Sequence, residues 1–245
     1  MTEKDELPKQ KSYTENEGVR FFGEIKELLS GSEVEKIQTT PASILHVSRH
    51  LKKLNPEARK KILSFEGVTD DFITAQLQTV GSKFHEKIDD PYKLLKVCHQ
   101  ALRDKISGAE KIPWLYSKEV DEFEAIIKIE LSPEQKQSLG LNPNEYAGDV
   151  SVIEITPEIE NQITKEQRGK GEKKDHIEVN VISGVDLPET DTLIISLKKK
   201  NQDSPPELYT AYTGIIAPSL PRKEEQSEEE FSYNKSWWDN HAFIK

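Results

Sequence analysis

A chain of 245 residues is long enough to bury a sizeable core, as one large domain or two modest ones. Its 34% hydrophobic and 32% charged residues, with a net charge of -10, work against nonspecific binding to nucleic acid or anionic membranes. A single cysteine, Cys98, excludes an intrachain disulfide and a cysteine zinc site and fits a reducing compartment.

Residues 1–18 read as a flexible N-terminus. Met1 to Pro8 is acidic and polar with no apolar core of signal-peptide length. No stretch of the chain approaches the roughly 18 apolar residues of a membrane span. The expectation is a cytoplasmic protein without membrane insertion, with signal-independent secretion left open.

Residues 19–112 read as a small helical domain. Val19, Phe22, Ile25 and Leu29 align on one face of a helix over about 19–29. Thr40-Pro41 then supplies an N-cap and first-turn proline, with Ile44, Val47, Leu51 and Leu54 following at helical spacing. Asn55-Pro56 repeats the signal ahead of Ala58, Ile62 and Phe65, with Gly67 as a stop. A helix over about 70–87 comes next, and Asp90-Pro91 opens a stripe of Leu94, Leu95, Cys98, Leu102 and Ile106.

Past Pro113 the period changes from helical to alternating, and residues 113–245 read as an α+β domain. Strands are expected around Ile127–Leu131, Ile153–Ile155, His176–Ile182, Leu193–Leu197 and Leu208–Thr213. Ser132-Pro133-Glu134 and Thr156-Pro157-Glu158 signal short helices between them. This order does not alternate regularly enough for a doubly wound sheet, so a mostly antiparallel sheet of about five strands is expected. Residues 221–230 form an acidic linker that tethers a final amphipathic segment, Phe231 to Phe243.

No phosphate-binding Gly-x-x-x-x-Gly-Lys-Ser/Thr, dinucleotide-binding Gly-x-Gly-x-x-Gly, His-Glu-x-x-His or Gly-x-Ser-x-Gly occurs. His46 and His50 stand at i, i+4, a spacing that can hold a metal, but no third ligand lies nearby in sequence. They read as edge histidines of a helix, and His85 and His99 carry no partner signal. No metal or cofactor is expected.

The candidate chemistry lies in the second half. Alternation puts His176 on the solvent side of its strand, directly after a basic loop that contains Arg168. Thr210 and Tyr212 project together from one side of theirs, and His241 follows the Trp237-Trp238 anchor. Metal-free RNA cleavage needs a base for the 2′-hydroxyl, an acid for the leaving oxygen and a cation for the charged intermediate. His176, His241 and Arg168 can fill those roles, with Thr210 and Tyr212 holding phosphate oxygens.

With its basic loop, strand-borne His176 and late Tyr209-Thr210-Ala211-Tyr212-Thr213-Gly214 strand, the segment from about 120 to 245 resembles the barnase, EndoU, colicin and RelE-like ribonuclease toxins. That resemblance implies a helical region preceding a curved antiparallel sheet that bears the site. It implies RNA as substrate, and a delivery or docking role for the helical region. The acidic net charge and the order of the histidines depart from that group. A non-enzymatic interaction or adaptor protein, binding a basic partner through an acidic helical bundle, is the alternative expectation, and an inhibitor or docking protein is a further expected partner.

Overall fold

The computed structural model describes residues 13–16, 19–79, 81–107, 112–117, 121–168 and 177–245, with the side chains of 13–16, 24, 26, 117 and 168 excepted. In chain order the first elements are β1 (Tyr13–Asn16), β2 (Val19–Phe22), β3 (Glu24–Leu28), α1 (Gly31–Val34), α2 (Pro41–Ser48), α3 (Pro56–Leu63), α4 (Asp70–Leu77) and α5 (Pro91–Ser107). There follow β4 (Pro113–Ser117), β5 (Glu122–Glu130), α6 (Pro133–Ser138), β6 (Gly148–Asp149), β7 (Val152–Glu154), β8 (Thr164–Arg168) and β9 (Ile177–Ile182). The chain ends with β10 (Glu189–Thr190), β11 (Thr192–Lys199), β12 (Glu207–Thr213), α7 (Glu228–Asp239) and β13 (His241–Ile244).

The fold is α+β, as the change of period indicates. Five antiparallel strands form the main sheet in the order β12-β11-β5-β4-β3. Alternation in β5 buries Phe123, Ala125, Ile127 and Ile129 on one face, where they meet Leu193, Ile195 and Leu197 of β11. The helices cover that face. Val47 and Leu51 from α2 and its C-terminal turn, Ile62 from α3, Ile73 from α4, and Leu95 and Leu102 from α5 belong to the same buried cluster as Leu208 and Ala211 of β12. The elements before residue 112 therefore share one core with the strands after it. β3, which precedes the helices, also pairs with β4, which follows them.

A second sheet, β7-β13-β9-β8, carries α7 on one side through Val179, Val181, Trp238 and Phe243. On its other side Ile244 and Ile182 pack with Ile155, Ile159 and Ile163. No helix among the described residues is long and apolar enough to cross a membrane.

Several local expectations are corrected. The segment 19–29 is not a helix but strands β2 and β3. The spacing of Val19, Phe22, Ile25 and Leu29 fits a helix, yet Gly23 (φ 152°) breaks the segment and turns it into the sheet. A β-carbon there would lie 3.0 Å from the Tyr116 carbonyl oxygen, so only glycine lets β3 lie this close to β4. α2 ends at Ser48, before Leu51 and Leu54, and α4 ends at Leu77, well short of residue 87. Thr156-Pro157 opens a turn and a single 3-10 turn, Glu160–Gln162, rather than an α-helix. The last acidic residues of the expected linker, Glu228–Glu230, are the first turn of α7, capped by the Ser227 hydroxyl. Carboxylates are favoured there by the helix dipole.

The shared core makes a specific demand on stability. Leu102→Ala in α5 should destabilise the protein by about 2–5 kcal/mol. Far-UV circular dichroism and indole fluorescence should report the same single transition in urea, whereas separate midpoints would show that the helices and the sheet fold apart.

Candidate functional site at the contact of α2 with β12

α2 is tied to the edge strand β12 from its first residue. The Thr40 hydroxyl caps the helix by accepting from the Ser43 amide, and it also donates to Glu207 Oε1 of β12. The Ser43 hydroxyl donates to the same oxygen at 3.0 Å. Gln38 adds a backbone bridge, donating to the Pro206 carbonyl at 2.8 Å while its own carbonyl accepts from Leu208 at 3.0 Å. These bonds cover part of an edge that would otherwise be open to pairing.

Held this way, the helix places two histidines against two tyrosines. The His46 ring lies 4.4 Å from the Tyr209 ring, and His50, just past the helix, stacks on Tyr212 at 5.5 Å. Arg49 Nη1 donates to His46 Nδ1 at 3.2 Å, so a neutral His46 carries its proton on Nε2. Lys198 of β11 sets its ammonium 4.4 Å from the Tyr209 ring centre and 3.2 Å from Glu122 Oε2. Burial opposes the Lys198 charge, but Glu124, Glu122 and Tyr209 outweigh it and hold the group above the usual lysine range.

His50 is different in kind. Its Nδ1–H donates to the Ser82 carbonyl at 3.1 Å, and its half-buried ring stacks on Tyr212. Burial lowers its pKa to about 4; the Ser82 bond opposes the shift, and the charges of Arg49, Lys83 and His46 add to it. It is neutral at physiological pH. The Tyr212 phenol is pushed upward, first by burial and then by Glu124, and stays protonated.

Beneath the histidines Lys83 donates from Nζ to the carbonyls of Arg49 (2.5 Å) and Leu77 (2.8 Å), which close α2 and α4. Burial lowers its pKa, opposed by Asp149. Asp149 accepts from the Lys83 amide at 2.6 Å and pairs with Lys52 at 3.3 Å. Gly148 is required here, since a β-carbon would fall 2.5 Å from the Lys83 carbonyl and 2.6 Å from Thr213 Oγ1.

The residues singled out in the sequence are dispersed. Thr210 and Tyr212 share β12, where Thr210 pairs with Ser196 and Tyr212 with Ile194. His241 lies on β13 of the other sheet, stacked on Trp237 at 3.5 Å with its Nδ1–H on the Trp237 carbonyl. Trp237 joins the two regions, because it packs on the cluster of Ile194, Ile216 and Tyr212. Arg168 closes β8 opposite Ile177, its side chain outside the description, and His176 lies outside the described residues. Among the described residues, the histidines that reach the tyrosine strand are His46 and His50, which local spacing reads as edge residues. No signal within α2 announces Tyr209 or Tyr212. Among the described residues no group of three or more His, Cys, Asp or Glu is gathered for a metal ion.

No protein-family model matches the chain, and no curated protein matches it. Among solved structures it is similar to a conserved hypothetical protein from Toxoplasma gondii ME49, at 10% identity and a TM-score of 0.39. The match covers 79% of this chain and 92% of that one.

The half-buried, neutral His50 sets a pH dependence. Because its folded pKa lies below that of a free histidine, the unfolded chain binds the extra proton, and stability falls as pH drops from about 6.5 toward 4. In urea titrations the stability advantage of the wild type over His50→Gln should be largest near pH 8. It should shrink by up to about 1.4 kcal/mol per unit below pH 6; a constant difference would mean that His50 titrates normally.

Proposed function

We propose that the chain cleaves RNA phosphodiesters at the contact of α2 with β12, by acid–base chemistry of the ribonuclease-toxin type. The observation that carries this reading is the half-buried His46 ring set on Tyr209, with Arg49 bonded to its Nδ1 and the Lys198 ammonium over the same tyrosine.

Arg49 and Lys198 attract the phosphodiester. As Arg49 turns from His46 onto a phosphate oxygen, the Nδ1 lone pair becomes available to take the 2′-hydroxyl proton. The 2′-oxygen forms a bond to phosphorus, the bond to the 5′-oxygen breaks, and the two cations stabilise the added negative charge. The leaving oxygen takes a proton from the Tyr209 hydroxyl, and water then relays the proton held on His46 back to the Tyr209 phenolate, which restores both groups. The products are a 2′,3′-cyclic phosphate and a 5′-hydroxyl end. His50 and Tyr212 do no proton transfer in this scheme; they fix the end of α2 so that His46 and Arg49 stay in register with Tyr209. Thr210, Arg168, His176 and His241 remain candidates for contacts with the rest of the RNA.

The cytoplasm is the compartment this reading favours. Cys98 is a free thiol in the core, and burial pushes its pKa up to about 12, which keeps it unreactive.

Incubation of the full chain with total RNA in a chelator should yield fragments ending in 2′,3′-cyclic phosphate. His46→Ala should slow their appearance by about 100-fold or more, the usual worth of a general base. Intact RNA with the wild-type chain would sink the enzyme reading in favour of an interaction protein whose acidic helical bundle binds a basic partner.

A further inference from the structure

A groove of about 370 Å³ runs between α7 and the β8–β9 hairpin, within the size range of small-molecule sites. Its apolar lining is Ile177, Pro221, the half-buried Phe231 and the buried Trp238, the last two on α7. The Trp238 ring is stacked on Phe243 at 4.7 Å and its indole N–H is bonded to the Pro218 and Ser219 carbonyls at 3.2 Å, so it forms a fixed backing and Phe231 is the more accessible ring of the groove.

The polar groups of the groove are not equivalent. Lys165 is paired with Glu178 and Lys235 with Asp239, each at 2.6 Å, so these four charges largely satisfy one another. Arg222 and Lys223 also line the groove. Arg222 has only a 3.5 Å contact to the exposed Glu225, and Lys223 has no ion pair among the described residues. Glu224 is the remaining carboxylate and is exposed. The segment that carries the two cations is held in place: the Arg222 amide donates to Gln226 Oε1 at 2.8 Å, and Gln226 Nε2 donates to the Leu220 carbonyl at 3.1 Å. Asn180 lines the wall with its amide nitrogen committed to the carbonyls of Trp238, Asp239 and His241. Its Oδ1 has no hydrogen bond among the described residues and can accept one.

We propose that this groove binds a nucleoside monophosphate. Phe231 supplies the surface for the base, Arg222 and Lys223 hold the phosphate by charge-assisted bonds, and Asn180 Oδ1 accepts from an N–H on the base edge. An accessible aromatic ring and two poorly neutralised cations lining one groove match a ligand that carries both a planar group and an anionic one. A bare phosphate leaves the ring uncovered, and a bare nucleoside leaves the cations unused. The site is separate from the contact of α2 with β12 and does not rest on RNA cleavage there.

Isothermal titration of the full chain with each of the four nucleoside monophosphates, the matching nucleosides and inorganic phosphate tests the assignment. At least one monophosphate should bind about tenfold or more tightly than its nucleoside and than phosphate. The surface double variant Arg222→Glu/Lys223→Glu should weaken that monophosphate by about tenfold or more and leave the nucleoside unchanged. Phe231→Ala should weaken both, with an unchanged circular dichroism spectrum as the control for folding. Failure of all four monophosphates to bind, binding no tighter than phosphate, or indifference to the charge reversal overturns the proposal. Running the titration on His46→Ala as well keeps the two sites distinct, since loss of cleavage there should leave this affinity intact.

Discussion

The organisation of this protein depends on one helix lying against one strand. β12 ends the main sheet, and an uncovered edge of seven residues would invite pairing with another chain. α2 closes part of it by a mixed seal. Hydroxyls of Thr40 and Ser43 bind the Glu207 carboxylate at one end, and aromatic contacts from His46 and His50 reach Tyr209 and Tyr212 at the other. Between them Ile44 and Val47 are buried in the core. Helix position, edge protection and the placing of titratable groups are consequences of the same contact.

A second polar knot works at the opposite end of the sheet's layer. The Lys199 ammonium has no exposed side-chain surface and is bonded to Glu27 of β3 and Glu33 of α1, above the rings of Trp114 and Phe123. Burying a charge is costly unless it is paired, and here two carboxylates and two aromatic faces compensate. Lys199 thereby ties the start of the chain to the strand next to β12. Lys83 does similar work with neutral acceptors, joining the last carbonyls of α2 and α4 in one pair of bonds.

Much of this could be read from local pattern, and the rest could not for identifiable reasons. The alternation of β5, β9 and β11, and the Thr40-Pro41, Asn55-Pro56 and Ser132-Pro133 starts, are set by residues next to one another, and they appear where the sequence indicates. Strand β3 is determined by pairing with β4, on the far side of the whole helical region, so a helical spacing of apolar residues misleads there. The same holds for the site. The Tyr209–Thr213 strand stands out, and so does the i, i+4 pair His46 and His50, yet nothing local says that the two meet. His241 looks poised beyond the tryptophans, but its ring and Nδ1 are both engaged by Trp237. The misses at β3 and at α2 with β12 are contacts between residues remote in sequence.

The central claim is that α2 is locked on β12 by a half-buried, uncharged His50 stacked on Tyr212. Histidine ring resonances followed by NMR across a pH titration test it most directly. The account predicts one histidine, assigned by its loss in His50→Gln, that stays neutral until about pH 4. An ordinary midpoint for that ring, near 6.5 as in an unperturbed histidine, would show it open to water and would contradict the account.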